Sequence, residues 1–78
     1  MEMQLGSDRY WTVFCEDIPE GWAGFRLHRE SFGKTALAAE VIFWDATGEF
    51  TIETFGRVLQ TQVAEAVIAE AKEKIKTK

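Results

Sequence analysis

The stretch that decides the fold of this chain reads Val41-Ile42-Phe43-Trp44-Asp45-Ala46-Thr47-Gly48-Glu49-Phe50-Thr51-Ile52. Two runs of β-branched and aromatic residues flank a short segment that contains glycine, which predicts a β-hairpin. Apolar residues occupy successive positions in both runs, so both faces of the hairpin carry apolar side chains. A small sheet usually leaves one face to water. The sequence therefore predicts that something covers the second face: a second copy of the chain, a partner or a ligand.

The loop of this hairpin sets its register. The segment Ala46-Thr47-Gly48 suits a three-residue loop, in which a type I turn is closed by glycine in the left-handed conformation. The predicted pairs are Asp45 with Glu49, Trp44 with Phe50, Phe43 with Thr51, Ile42 with Ile52, and Val41 with Glu53. Because side chains alternate between the faces of a strand, a shift of one residue would exchange the faces.

Two further strands are predicted before the hairpin, whose first strand extends back to residue 35. Residues 9–16 and 22–29 are rich in aromatic and β-branched side chains and flank a turn that contains Pro19 and Gly21. A second turn covers residues 31–34, and a long strand then covers residues 35–45. Residues 35–40 also have helical propensity, but the hairpin that follows favours the strand. Residues 1–7 are expected to be flexible.

The clearest helix covers residues 57–76. Its apolar side chains fall within one half of a helical wheel: Leu59, Val63, Ala64, Val67, Ile68, Ala71 and Ile75. Lysines in its last turns offset the negative end of the helix dipole.

These elements predict an α+β fold in a single domain, 1–78. A four-stranded antiparallel meander (residues 8–56) carries the C-terminal helix on one face, in the order β-β-β-β-α. The residues expected under the helix are Trp11, Val13, Ala23, Phe25, Leu27, Ile42, Trp44, Phe50 and Ile52. Those expected on the uncovered face are Tyr10, Phe14, Arg26, His28, Val41, Phe43, Thr51, Glu53 and Phe55.

Composition narrows the function classes. Cys15 is the only cysteine and His28 the only histidine, so neither a disulfide nor a four-ligand zinc site can support this thin core. Self-association is a common remedy in chains of this size. The net charge is −4, and residues 1–56 hold ten acidic against four basic side chains. This balance argues against a nucleic-acid or membrane-surface binder, which needs a basic face.

The longest apolar runs have four residues each, so no membrane span is expected. A lone cysteine fits a reducing cytoplasm.

No catalytic constellation, cofactor site or metal site is predicted. His28 could act with Glu53 if they shared a face, but a surface histidine is the simpler interpretation. Cys15 lacks a CxxC partner and has apolar neighbours, which indicates a buried structural thiol. The segment Gly33-Lys34-Thr35 matches the end of a phosphate-binding loop but lacks its first glycine. Acidic residues cluster at two places, in residues 16–20 and at Asp45 with Glu49. Both clusters are expected to lie in solvent-exposed turns.

The sequence favours a small non-enzymatic interaction protein that forms a homodimer through the apolar sheet face or an edge strand. The alternative is a module that binds a small ligand or a peptide on the same aromatic face. The acidic sheet would also suit a basic protein partner. The candidate residues for either role are Tyr10, Phe14, Arg26, His28, Val41, Phe43, Glu53 and Phe55.

Overall fold

The computed structural model describes residues 1–75 and has the predicted α+β architecture, with an antiparallel sheet and one C-terminal helix. The elements are β1 (Glu2–Leu5), β2 (Asp8–Asp17), β3 (Trp22–Ser31), β4 (Lys34–Trp44), β5 (Glu49–Glu53) and α1 (Thr61–Lys74). The strands are neighbours in chain order, β1-β2-β3-β4-β5, and every pair is antiparallel. The sheet curls into a half-barrel.

The sheet has five strands rather than the predicted four. Residues 1–7, expected to be flexible, contain β1, which pairs with β2 from Glu2 opposite Trp11 to Leu5 opposite Asp8. Met3 and Leu5 pack against the core, while Glu2 and Gln4 are exposed. This alternation is a strand signal, but four residues were too few to distinguish it from a loose end.

The ambiguous first half of β4 is strand, as favoured from the sequence. Leu27 lies opposite Ala39, whereas His28 lies opposite Leu37, so Ala38 is an extra residue in β4. Such a bulge bends a strand. It also explains why the adjacent Ala38 and Ala39 are both buried, which a regular alternation does not allow.

The predicted register of the β4–β5 hairpin is wrong by one residue. Trp44 lies opposite Glu49 and Phe43 opposite Phe50, so the loop has four residues rather than three. The Gly48 N–H donates to the Trp44 carbonyl at 2.8 Å, and Gly48 has the predicted positive φ of 70°. The glycine was placed correctly, but the strands close one residue earlier on the β4 side. The shift turns Val41 and Phe43 towards the helix.

The helix begins four residues later than predicted. Gln60 before it is extended, with ψ of 138°, and Gly56 has a φ of 73°. Leu59 still packs against the core, but it does so from a non-helical segment. The position of Leu59 fits the apolar spacing of the helix, so the sequence pattern placed the start of the helix too early. The predicted end at Lys76 lies outside the described residues.

The core lies between α1 and one face of the sheet. The buried helix residues Val63, Val67 and Ala71 pack with strand residues that include Phe25 and Leu27. Thr12 of β2 also donates a hydrogen bond to Glu70 of α1, which attaches the helix to that strand. The core positions of Ala23, Phe25 and Leu27 are confirmed.

Four predicted core residues lie on the opposite face: Trp11, Val13, Ile42 and Trp44. The error in β2 has a simple cause. Its two faces carry similar apolar side chains, so alternation alone could not show which of them the helix covers.

Candidate functional site

All three tryptophans lie on the sheet face opposite α1, which we call the outer face. The register places side chains there in four rows across β2, β3 and β4. From one end of the strands to the other, these rows are Trp11, His28 and Leu37; Val13, Arg26 and Glu40; Cys15, Gly24 and Ile42; and Asp17, Trp22 and Trp44. β5 adds Glu53, Thr51 and Glu49 to the last three rows. Apolar side chains thus lie on both faces of β4, as predicted for the hairpin, but β5 is apolar on the helix side alone, because its outer side carries Glu49, Thr51 and Glu53.

An aromatic stack occupies the first row. The rings of Trp11 and His28 lie 5.7 Å apart with an angle of 19° between their planes. The guanidinium of Arg9 sits 5.3 Å from the centre of the Trp11 ring, within the range of a cation–π interaction. The two contacts hold the indole ring against the sheet. Trp11 thereby presents a fixed apolar surface.

An ion pair crosses the second row. Arg26 Nε donates to Glu40 Oε2 at 2.8 Å, and this hydrogen bond raises the pKa of the Arg26 guanidinium. Arg26 is exposed, so the pair adds little to stability. Its main effect is to fix both side chains in the centre of the outer face. Val13 beside them is 48% exposed, which is unusual for an apolar residue in a central strand.

Gly24 makes the third row unusually flat. A Cβ at this position would lie 2.1 Å from the Val41 carbonyl oxygen and 2.7 Å from Ile42 Cδ1. The Ile42 side chain therefore covers the glycine and is itself buried. Cys15 lies on the other side of Gly24, and burial raises the pKa of its thiol. The row is apolar and closely packed.

Two tryptophans and two carboxylates form the fourth row. Trp22 and Trp44 are a cross-strand pair, with Asp17 and Glu49 beside them on the neighbouring strands. Trp44 Nε1 donates to Thr51 Oγ1 at 2.8 Å, yet the side chain remains 39% exposed. Residues 10–25 and 41–56 contain no lysine or arginine. This end of the outer face is thus both aromatic and acidic.

The structure separates the predicted site residues into three groups. Arg26, His28 and Glu53 belong to the outer face, as predicted. The placement of Tyr10, Val41 and Phe43 on an uncovered face is wrong, because all three are buried in the core. Val41 and Phe43 were misplaced because the predicted hairpin register was wrong by one residue. Tyr10 was misplaced because the wrong face of β2 was predicted to lie under the helix.

The remaining two predicted residues lie outside the outer face. Phe14 is on the helix side, where its ring meets Phe25 edge-on at 5.4 Å, and it is half-exposed. Phe55 follows β5, is exposed, and has a positive φ of 57°. Neither belongs to the surface formed by the tryptophans.

The outer-face residues that sequence reasoning missed are Trp11, Val13, Trp22, Ile42 and Trp44. The sequence did indicate the position of Trp22. It is separated from Arg26 and His28 by an even number of positions along the same strand, so it lies on the same face, and both of those residues were predicted to face outward. Gly24 was a second signal, since a glycine inside a strand marks a close approach of a neighbour. In this fold that neighbour is Ile42.

The predicted carboxylate and histidine pairs do not form. His28 lies in the row of Trp11, whereas Glu53 lies opposite Glu40 one row away. Asp45 is in the hairpin loop, where its N–H donates to the Gly21 carbonyl, and does not face Glu49. Lys34 opens a strand rather than a helix, which excludes the phosphate-binding loop.

The described residues contain neither a metal-binding cluster nor a membrane-spanning helix. Within residues 1–75, no three His, Cys, Asp or Glu side chains are grouped as a metal ion would require. In the same residues, no helix has the length and apolar character needed to cross a membrane. Comparisons with protein-family models, curated proteins and solved structures find no match.

Proposed function

We propose that this chain is a small non-enzymatic interaction protein whose outer face binds a second copy of itself. The observation that supports the proposal is the position of Trp11, Trp22 and Trp44 on the face that the helix leaves open. Tryptophan is enriched among the residues that dominate binding energy at protein interfaces. Stable monomers rarely expose large continuous apolar patches.

The dimensions of the sheet suit such an interface. The molecule measures 39 by 20 by 19 Å, so its broad face has the footprint of a standard interface, about 800 Å² per partner. Two sheets that stack face to face lie about 10 Å apart, with side chains interdigitated. The flat row around Gly24 leaves room for bulkier side chains of a partner to approach closely.

The distribution of charge favours one relative orientation. Consider a two-fold axis that runs across the strands, in the plane between the two outer faces. It places the end with Asp17 and Glu49 against the other end of the partner's strands, where Arg9 lies on Trp11. The opposite arrangement, with the axis along the strands, places acidic ends against each other. The antiparallel stack therefore avoids this contact between the Asp17 and Glu49 ends; Arg9 at the other end is itself paired with Glu2 and lies opposite Glu30, so the charge preference is small.

Charged substitutions on the outer face test the proposal. Val13→Glu and Trp44→Glu each replace an apolar contact with a carboxylate that must lose its water on dimerisation. Val58→Glu is a matched control, since Val58 is 93% exposed and lies in the loop before α1. Sedimentation velocity should show monomers for the two face variants and a dimer for Val58→Glu, with unchanged circular dichroism for all three. Dimers of folded Val13→Glu and Trp44→Glu would contradict the proposal.

A second candidate function is a platform for a small ligand or a peptide on the same face. It is supported by the polar groups beside Trp11, namely the His28 ring and the Arg26 guanidinium one row away. This reading requires a monomer at high concentration. Trp11→Ala and Arg26→Ala should then change the response of tryptophan fluorescence to added ligand.

A further inference from the structure

The strand β5 is an open edge of the sheet. It pairs with β4 on one side, and no other strand within residues 1–75 pairs with it on its free side. Alternate residues of an edge strand direct their N–H and C=O groups away from the sheet, where they can pair with another chain. Natural edges are often protected by proline, lysine or a bulge. The β5 sequence, Glu-Phe-Thr-Ile-Glu, contains neither proline nor lysine; its charged residues are the two glutamates at its ends, which would repel acidic strands and admit basic ones.

An apolar groove lies between this edge and the helix, on the face of the sheet opposite the outer face. Its volume is about 200 Å³, and it is lined by Val41, Phe50, Thr51, Ile52, Ile68 and Lys72. Ile52 is 40% exposed although it points to the helix side. The groove can therefore accept apolar side chains from a segment laid along β5.

The two sides of β5 differ in charge. Glu49 and Glu53 point to the outer side, and neither forms an ion pair with another described residue. Among residues 1–75, the one hydrogen bond that the Glu53 carboxylate accepts comes from the nearby Phe55 N–H, at 2.9 Å. On the groove side, Lys72 adds a positive charge to the lining. A strand added at this edge would thus favour basic side chains on the outer side and apolar ones in the groove.

A second copy of β5 is a poor occupant of this edge. The antiparallel register that pairs all five residues places Glu49 opposite Glu53 at both ends. Like charges directly opposite one another destabilise a strand pair. The edge is therefore better suited to a different sequence.

We propose that β5 and α1 bind an extended peptide segment, with alternating apolar and basic side chains, as a sixth strand of the sheet. Main-chain hydrogen bonds to β5 provide affinity, and the groove and the two glutamates select the pattern. This binding differs from self-association in its main contacts, which are the free edge of β5 and the groove on the helix side; it shares only Glu49 and Glu53 with the outer face. Each can fail without the other.

The test is a titration of the isotope-labelled protein with a short acetylated peptide in which lysine and valine alternate, followed by amide NMR. Shifts confined to β5, the groove and α1 are expected, together with slower exchange of β5 amides. A peptide of the same composition with the lysines and valines in two blocks should bind at least about tenfold more weakly, because the pattern no longer matches the two sides. Equal binding of both peptides, shifts centred on the outer face, or no shift at about 1 mM peptide would overturn the proposal.

Two variants distinguish binding in the groove from nonspecific attraction between the acidic protein and the basic peptide. Ile52→Asp places a carboxylate in the groove, whereas Ile18→Asp makes the same change at an exposed turn position. Only Ile52→Asp should weaken binding, by about tenfold or more. The double variant Glu49→Lys with Glu53→Lys should transfer the preference to a peptide in which glutamate and valine alternate. Unchanged preference in this variant, with the fold retained, would count against the proposed orientation.

Discussion

The indole ring of Trp11 stacks on the imidazole ring of His28, with centroids 5.7 Å apart, on the face of the sheet that the helix does not cover. The two residues are directly opposite each other on β2 and β3. The stack orders a large apolar side chain at the protein surface in the absence of any partner. A partner that binds there meets a side chain that has already lost much of its rotational freedom, which reduces the entropic cost of association.

The stack should be measurable in a double-mutant cycle. Trp11→Ala and His28→Ala, measured singly and together by urea denaturation, should show a coupling free energy of about 0.5–1 kcal/mol, typical of a cross-strand aromatic pair. Trp11→Ala combined with Val58→Ala is the control, since Val58 is almost fully exposed in the loop before α1 and lies outside the outer face. Their effects should add. A coupling of zero for Trp11 with His28 would mean that the stack makes no contribution in solution.

Gly24→Ala should destabilise the fold by at least about 1–3 kcal/mol, the usual cost of overpacking. The new methyl group would meet the Val41 carbonyl oxygen, so β3 and β4 would have to separate locally. Gly33→Ala is the comparison, because no atom of residues 1–75 lies within 4 Å of a Cβ there and the positive φ of 79° is what opposes the change. Thermal and urea denaturation should show the larger loss for Gly24→Ala. A neutral or stabilising Gly24→Ala would refute the close approach of these strands.

Phe32→Asn should stabilise the protein by about 1 kcal/mol. Phe32 and Gly33 form a two-residue hairpin loop between β3 and β4, and both have positive φ, at 52° and 79°. Such loops favour asparagine at the first position, since a bulky side chain is strained in the left-handed region. Phe32 is 87% exposed, so its ring has few contacts to lose. Phe32→Ala keeps the unfavourable conformation and should give no gain; a less stable Phe32→Asn would contradict the assignment of strain.

The thiol of Cys15 should react slowly in the folded protein. Burial raises its pKa, the Arg26 guanidinium partly offsets this, and Glu40 adds to it. Because the thiolate is the reactive form, alkylation by iodoacetamide near pH 8 should be slower in the native protein than in urea. As the pH rises past the unfolded pKa of the thiol, the unfolded chain ionises first, so the contribution of this group to stability falls.

Two arginine variants test the effect of the Arg26 charge on the reactivity of Cys15. Arg26→Gln removes the charge that lowers the Cys15 pKa and should slow alkylation further. Arg29→Gln, on the same strand but the other face, should leave the rate unchanged. Faster alkylation in Arg26→Gln would show that access to the thiol, rather than its pKa, limits the reaction.

Much of the fold could be predicted because the local signals agreed with one another. The turn at Pro19 and Gly21, the two-residue turn at Phe32 and Gly33, and the apolar stripe of α1 each had a distinctive residue type at a fixed position. The assignment of faces was less secure. β2 and β4 carry apolar residues on both sides, so the pattern could not identify which side lies under the helix, and the prediction that both hairpin strands are apolar on both faces is wrong for β5.

The candidate site depended on the two features that local sequence defines least. One is the length of the β4–β5 loop, where three and four residues both place Gly48 in a favourable position. The other is which face of β2 the helix covers, which depends on contacts between Tyr10 and distant helix residues. An error of one residue at each of these two places put Val41, Phe43 and Tyr10 on the predicted outer face, where the structure has their neighbours Ile42, Trp44 and Trp11. The position of a surface residue is thus set by pairings that only the whole fold specifies.

The most direct test of the central proposal is the mass of the unmodified protein by light scattering during size-exclusion chromatography, over roughly a hundredfold range of concentration. If the outer face binds a second copy, the mass should rise to twice the chain mass of 8.9 kDa as the concentration increases. A mass that stays at 8.9 kDa across the whole range would contradict self-association through the tryptophan face.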